Sequence, residues 1–262
     1  FTSNGTESIN HAIKGVAFAN FKKGKHIVST NIEHQSVART LRILMKLGYQ
    51  VTAIPVDKYG LVNPEDVEKA ITGDTILVSI MHANNEIGTI QPISEIGKII
   101  RAKNVLFHTD AVASGGNIPV DVDDLGVDLL SIAANQFYWP SGVGALYIRP
   151  QTNIIPLIDG GTQENGRRAG TQNILGIVGM GKAAALALAE MPERTAHLLK
   201  LKKAFIEKLK TLDEIRINGH PEISLPGLVS VSVNYVEGES MMIMLESENI
   251  CVSTRSACAS GS

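Results

Sequence analysis

Short apolar runs rich in β-branched residues alternate with segments of helical length over the first 150 residues of the chain. In the segment 7–21, for example, Ile9, Ile13 and Val16 recur at the spacing that places them on one face of a helix. The strand candidates are residues 26–29, 51–56, 75–81, 105–109, 129–133 and 143–148. This alternation predicts an α/β fold, a three-layer sandwich in which helices cover both faces of a mostly parallel central sheet.

The regular alternation of strand and helix candidates ends after Arg149. A glycine-rich stretch leads into an alanine-rich helix at 174–189 and a basic amphipathic helix at about 193–212, followed by strands at 215–218 and 228–234 and a helix at 239–248. We therefore expect a large α/β domain over residues 1–194 and a small α+β C-terminal domain over residues 195–262.

Composition narrows the possible functions. A net charge of −2 with 19% charged residues provides no basic surface that would attract nucleic acid. No apolar run approaches the roughly 18–20 residues that span a bilayer, and the N-terminus lacks a signal-peptide pattern, so a cytoplasmic protein that binds no membrane is expected. Because the first residue is Phe1 rather than methionine, the chain is expected to be a fragment.

The chain has two cysteines, too few for a disulfide framework. Cys251 lies in an apolar, strand-like run and is expected in the core. Cys258 lies among small residues, three positions after Arg255, and a nearby positive charge raises the thiolate fraction of a cysteine. The histidines and cysteines show no ligand spacing such as CxxC or HxxxH, so the sequence predicts no metal site of the chain's own.

In an open parallel sheet, ligands bind beyond the carboxyl ends of the strands. Gly5 and Thr6 stand directly before the first helix, where close backbone approach, N–H groups and a hydroxyl suit a phosphate, although an N-cap turn explains the same residues. His34 follows the first strand. Its imidazole could stack on a planar ring or move a proton, and an isolated histidine there is also commonly structural.

Two further strand ends carry polar residues. Residues 82–92 contain Asn84 and Asn85, whose amides could orient a polar ligand, although asparagine also favours turns because it tolerates left-handed geometry. Asp110 ends an apolar strand, and a carboxylate at that depth needs a partner. The protonated pyridine nitrogen of pyridoxal phosphate is one such partner, and backbone amides are another.

Taken in order, several motifs resemble those of the cysteine desulfurases, class V aminotransferase-like enzymes that feed iron–sulfur cluster assembly. The motifs are FTSNGTES, IEHQSV, HANNEIGTIQP, HTDAVAS, LGVDLLSIAANQFYWPSGVGALYIRP, GGTQENGRRAGTQN and VSTRSACAS, and the resemblance covers essentially all 262 residues. It implies a fold-type I pyridoxal phosphate architecture, a homodimer, L-cysteine as substrate and an iron–sulfur scaffold protein as partner.

The resemblance also implies roles for single residues. Gly5 and Thr6 would hold the cofactor phosphate, and Thr171 would reach the phosphate bound by the partner subunit. Asn135, which stands where the family has a histidine, would also contact the cofactor.

Further roles concern the cofactor ring and the sulfur. The resemblance implies that His34 lies over the ring and acts in catalysis, that Asn85 meets the phenolic oxygen, and that Asp110 pairs with the pyridinium nitrogen. Cys258 would be the nucleophile that receives sulfur as a persulfide. It is also a candidate ligand for an iron–sulfur cluster in transit.

The chain departs from the family pattern at the cofactor anchor. Gln136 stands where these enzymes have the lysine that forms the internal Schiff base, and no lysine occurs between Lys103 and Lys182. Alanines at 113 and 133 replace a glutamine and a serine, and Arg255 replaces a glycine. Because a side-chain amide is not nucleophilic, the sequence predicts that pyridoxal phosphate is held non-covalently.

The sequence therefore predicts an enzyme, a cysteine desulfurase that is slow because a positioned general base contributes roughly 10²–10⁴-fold to the rate. One alternative is a catalytically impaired homologue that binds the scaffold protein or relays sulfur through Cys258. A transaminase of the same class is disfavoured, because transamination does not require the cysteine loop.

Overall fold

A six-stranded sheet forms the centre of the chain in the computed structural model, which describes residues 1–254. The strands are β1 (His26–Thr30), β2 (Gln50–Ile54), β3 (Thr75–Ser79), β4 (Leu106–Asp110), β5 (Leu129–Ala133) and β6 (Gly144–Ile148). They lie in the order β2-β1-β3-β4-β5-β6, parallel throughout except that β6 runs antiparallel to β5. The predicted mostly parallel sheet is confirmed.

Helices connect these strands and extend the chain beyond them. They are α1 (Gly5–Asn20), α2 (Gln35–Lys46), α3 (Pro64–Ala70), α4 (Ile93–Ala102), α5 (Ile174–Leu209) and α6 (Gly238–Ser247), with short 3-10 helices at Ala134–Phe137 and Gln163–Gly166. Strands β7 (Ile215–Asn218) and β8 (Ser230–Val233) form a separate antiparallel pair.

Each face of the main sheet packs under a pair of helices. Successive side chains of a strand point to opposite faces, so Ile27 packs with α1 and α2 while Val28 packs with α3 and α4. Ile9 and Ile13, on the predicted apolar face of α1, are fully buried in the first of these layers. The three-layer sandwich predicted from the sequence is confirmed.

Helix α5 is a single helix of 36 residues where the sequence predicted two, and Pro192 lies inside it. A proline removes one backbone donor and usually ends or kinks a helix. The prediction of two helices was wrong because the strong helix formers on both sides of Pro192 sustain the helix through it. The predicted domain boundary after residue 194 falls within α5, and the division into two domains stays a prediction.

Helix α5 is also long and apolar enough to cross a membrane, judged by length and composition alone. The expectation that no apolar stretch approaches such a length was therefore wrong for α5, because its charged residues gather in its second half and leave an 18-residue window with at most two of them. Only 28% of its most apolar window is buried. The core helices of soluble proteins meet the same criterion.

Cys251 is exposed and lies outside the strands, contrary to the expectation that it belongs to the core. The apolar residues around it suggested a buried strand. However, α6, which precedes this segment, has no buried residue of its own. The segment therefore lacks a core to join, and composition alone did not reveal this.

Candidate functional site

The carboxyl ends of neighbouring parallel strands form one edge of the sheet, and several predicted site residues lie along it. Strand β1 ends at Thr30 and β4 ends at Asp110, with β3 between them. Adjacent strands lie about 4.8 Å apart. His34, which caps the start of α2 after β1, is close enough to Asp110 for its charge to act on that carboxyl group.

Asp110 is buried at the end of β4, as the sequence predicted. Burial raises the pKa of its carboxyl group, and a 3.0 Å hydrogen bond from the Val112 N–H to Oδ1 and the charge of His34 lower that pKa only in part. Within residues 1–254, no lysine or arginine forms an ion pair with Asp110. The carboxyl group therefore suits a ligand that brings its own positive charge.

His34 has one ring nitrogen engaged and one available. Its Nδ1 accepts the Ser36 N–H at 3.2 Å, which caps α2, and lies 2.6 Å from the Ser36 hydroxyl oxygen. Because Nδ1 accepts a hydrogen bond, the single proton of the neutral ring lies on Nε2. Among the described residues Nε2 has no hydrogen-bond partner, so the side chain has a structural role at one nitrogen and can meet a ligand at the other.

The two asparagines after β3 have different roles. Asn84 is buried: its Nδ2 donates to the Ile32 carbonyl at 3.1 Å, and its Oδ1 accepts the N–H groups of Glu86 and Ile87. Asn85 is half-buried, and its side chain makes no hydrogen bond with residues 1–254. Asn84 thus holds the loop, which leaves the Asn85 amide available for a ligand.

The N-terminus of α1 packs against the ends of β4 and β5. A Cβ atom at Gly5 would lie 2.7 Å from Cγ2 of Val112 and 3.4 Å from Cβ of Ala133, so this approach requires glycine. Asn4 caps the helix by accepting the Glu7 N–H at 2.8 Å. The N–H groups of Gly5 and exposed Thr6 have no partner within the described part of the chain, and such groups suit an anion.

An ion pair joins the start of α1 to the segment that contains Thr171. Arg168 contacts both carboxylate oxygens of Glu7, at 2.8 and 3.3 Å, and the N–H and hydroxyl of Ser3 donate to the same carboxylate. Burial would raise the pKa of Glu7, but the hydrogen bonds from Arg168 and Ser3 lower it to about 2. Thr171 itself is exposed, shortly before α5.

Asn135 and Gln136 lie in the 3-10 helix Ala134–Phe137, directly after β5, and both are exposed. The backbone around them is fixed by packing, because Ala134 and Phe137 are buried. The indole of Trp139 also packs against α5 at Gly179, so closely that it occupies the position of a Cβ atom there. The segment therefore keeps a defined position at the strand end. Its two central side chains are neutral amides.

Glu33, which was not among the predicted site residues, is a second buried carboxyl group at this edge. Its Oε1 accepts the Thr30 hydroxyl at 2.7 Å and the Met81 N–H at 3.0 Å. Burial raises its pKa to about 8, the two hydrogen bonds oppose this rise, and the charge of Asp110 adds to it. An acidic residue directly after a strand, next to His34, was the signal that could have identified it.

Buried histidines support the edge without carrying charge. Burial lowers the pKa of His82 to about 4 and that of His108 to about 3. The ring of His108 bridges the hydroxyl groups of Ser79 and Ser131, at 2.9 and 3.0 Å, and thereby connects β3, β4 and β5. Cys258 lies outside the described residues, and within residues 1–254 no three potential metal ligands cluster.

The open α/β sheet, with a buried aspartate, a capping histidine and a helix N-terminus along its carboxyl edge, belongs to the fold-type I class of pyridoxal phosphate-dependent enzymes. Residues 1–262 match the family model described as aminotransferase class-V. The chain belongs to this family, in its cysteine desulfurase group.

The relatives are longer than this chain. The cysteine desulfurase IscS of Dictyoglomus turgidum is 54% identical over 263 residues, which cover 100% of this chain and 67% of that protein. IscS of Methanosarcina thermophila is 53% identical and covers 100% and 65%. A solved structure of a NifS-like protein has 44% identity and a TM-score of 0.93, covering 97% and 70%. The chain thus spans about two thirds of the length of these curated relatives.

Enzymes of this family use pyridoxal phosphate, and the residues at the ring nitrogen and at the phosphate fit that cofactor, whereas the residue at the anchor does not. The buried carboxyl group of Asp110 suits a ring cation, and the N–H groups of Gly5 and Thr6 suit a phosphate. The amide of Gln136, which stands at the anchor, cannot form a Schiff base.

Proposed function

We propose that this protein is a cysteine desulfurase that takes sulfur from L-cysteine for iron–sulfur cluster assembly and holds pyridoxal phosphate non-covalently. The observation that carries the proposal is the buried carboxyl group of Asp110, which has no lysine or arginine partner within residues 1–254 and lies beside His34 at the carboxyl edge of the sheet. Relatives with about half of their residues identical are named cysteine desulfurases.

Each side chain of the site has a task in binding. Asp110 pairs with the ring cation, His34 covers the ring, and the Asn85 amide donates to its phenolic oxygen. The N–H groups of Gly5 and Thr6 hold the phosphate. When bound, pyridoxal phosphate would act as an electron sink, conjugated with the substrate Cα, for the electron pair that Cβ keeps when its bond to sulfur breaks.

The sulfur transfer needs no external oxidant or reductant, because Cys258 and the substrate exchange the electrons between them. The Cys258 thiolate attacks the sulfur atom of the substrate, an S–S bond forms as the Cβ–S bond breaks, and the electron pair of the broken bond takes up a proton at Cβ. The products are alanine and a Cys258 persulfide, which passes its outer sulfur to a scaffold protein. His34 Nε2, free of other partners among the described residues, carries a proton at the site.

The assembly and location of the protein belong to the same proposal. It acts as a homodimer in the cytoplasm, and Thr171 of each subunit reaches the phosphate held by the other. The exposure of Thr171 leaves its hydroxyl group accessible to another subunit, which supports this arrangement.

The decisive experiment supplies the full-length protein with pyridoxal phosphate and L-cysteine and measures alanine and persulfide. Alanine above the background of free cofactor is expected, and Cys258→Ser should abolish the persulfide while cofactor binding persists. Alanine formation no faster than with free cofactor would contradict the proposal.

A second candidate function is favoured by Gln136, whose exposed amide stands where a Schiff-base lysine would act. In that case the protein is a catalytically impaired homologue that binds the scaffold protein or relays sulfur through Cys258. Scaffold binding without alanine formation, together with turnover in Gln136→Lys, would identify this function.

A further inference from the structure

Glu33 lies in the short connection between β1 and α2, directly before His34. One oxygen of its carboxyl group, Oε1, accepts hydrogen bonds from Thr30 at the end of β1 and from Met81 just after β3. Asn84 holds the same connection from the other side through the Ile32 carbonyl. The position of His34 therefore depends on a loop that is tied to two strand ends.

The second carboxyl oxygen of Glu33, Oε2, is buried and has no hydrogen-bond partner within the described residues. An ionised oxygen in that position would lack every donor that a buried charge requires. A proton on Oε2 removes the buried charge and leaves Oε1 free to accept its two hydrogen bonds. The contacts themselves thus favour the neutral acid.

We propose that Glu33 is a positioning residue of the site, whose neutral carboxyl group fixes the His34 loop against the ends of β1 and β3 and offers an O–H donor beside Asp110. This inference rests on the proposed function. It adds to the site a residue that was not among those predicted from the sequence.

The groups around Glu33 explain why a neutral carboxyl group suits this position. Asp110, from β4, is the acidic neighbour that acts on it electrostatically, His34 follows it in the loop, and His82, after β3, is neutral. Two ionised carboxyl groups side by side would repel each other. With Glu33 protonated, Asp110 is the single anion available to a cationic ring.

Glu33→Gln tests the proposal, because the amide keeps an acceptor for Thr30 and Met81 and places a donor where Oε2–H stands. In the full-length protein, we expect Glu33→Gln to bind pyridoxal phosphate within about threefold of the parent and Glu33→Ala to bind at least tenfold more weakly. An equal loss in both variants would overturn the proposal. Glu86→Gln, an exposed site in the neighbouring loop, is the control.

A second measurement needs no cofactor and separates this inference from the proposed function. Since the pKa of Glu33 rises from 4.5 to about 8 on folding, the folded state holds a proton that the unfolded state releases between these values. Parent stability should therefore fall relative to Glu33→Gln as the pH rises from 4.5 to 8. A difference in melting temperature that is constant with pH would refute the neutral acid, even if no variant binds cofactor.

Discussion

Arg168 donates two hydrogen bonds to the Glu7 carboxylate, from Nε to Oε1 at 2.8 Å and from Nη2 to Oε2 at 3.3 Å. The pair joins residues that are 161 positions apart in the chain, and both side chains are partly buried. It fixes the start of α1, where Gly5 and Thr6 are proposed to hold phosphate, to the segment that precedes α5.

Glu7→Gln should lower the free energy of unfolding by roughly 1–2 kcal/mol at neutral pH, because it removes a charge-assisted, two-point contact. The pKa of Glu7 falls from 4.5 to about 2 on folding, so the stabilisation is complete above pH 4.5 and is lost as the pH falls towards 2. Urea unfolding over this range measures the effect. Glu65→Gln, in an exposed pair with Lys69, should change the free energy by less than about 0.5 kcal/mol.

Gly5→Ala should lower both stability and cofactor affinity. The new Cβ would meet Val112 Cγ2 at 2.7 Å, so the start of α1 must move away from β4 and β5 at a cost of about 1–3 kcal/mol. Gly181→Ala, within α5, meets no atom within 4 Å and should stabilise the protein by up to about 1 kcal/mol. Thermal unfolding and titration with pyridoxal phosphate distinguish the two variants; equal effects would argue against the close approach at Gly5.

Asp110→Asn should weaken the binding of pyridoxal phosphate by about tenfold or more, because the charge partner of the ring is lost. Stability should not fall with it. Since folding raises the pKa of Asp110, the folded state loses stability as the pH rises above 3.8, and the amide avoids that loss. Asp124→Asn, on the exposed surface, should change neither property, and unaltered affinity in Asp110→Asn would remove Asp110 from the site.

Gln136→Lys should convert loosely held cofactor into a covalent adduct that borohydride fixes. The parent should lose its absorbance on dialysis and gain no mass on reduction, whereas the variant should gain one pyridoxyl group per chain. Gln50→Lys places a lysine at an exposed position on the opposite edge of the sheet and should gain none. A reducible adduct in the parent would mean that another lysine reaches the cofactor.

The strand and helix pattern was predictable because it depends on local periodicity. Strands β1 and β3 have apolar centres and are buried along their whole length, polar end residues included, as expected for interior strands of a sheet covered on both faces. The continuity of α5 through Pro192 was not predictable in this way, since the proline rule and the helix propensities of its neighbours point in opposite directions.

The site was predictable only where one residue type indicates its chemistry. Asp110 stood out because it ends an apolar strand, and it is buried as expected. Glu33 and Arg168 did not stand out, because their importance depends on partners that are distant in sequence, Met81 for Glu33 and Glu7 for Arg168. The different tasks of Asn84 and Asn85 became visible only from their hydrogen bonds.

The packing beneath Gln136, where Phe137 is buried and Trp139 fills the space beside Gly179, has an evolutionary consequence. Glutamine and lysine codons differ in their first base alone, so one nucleotide substitution would put an amine back on a backbone that is already held in place. For a lineage carrying this gene, recovering the anchor is a single mutational step.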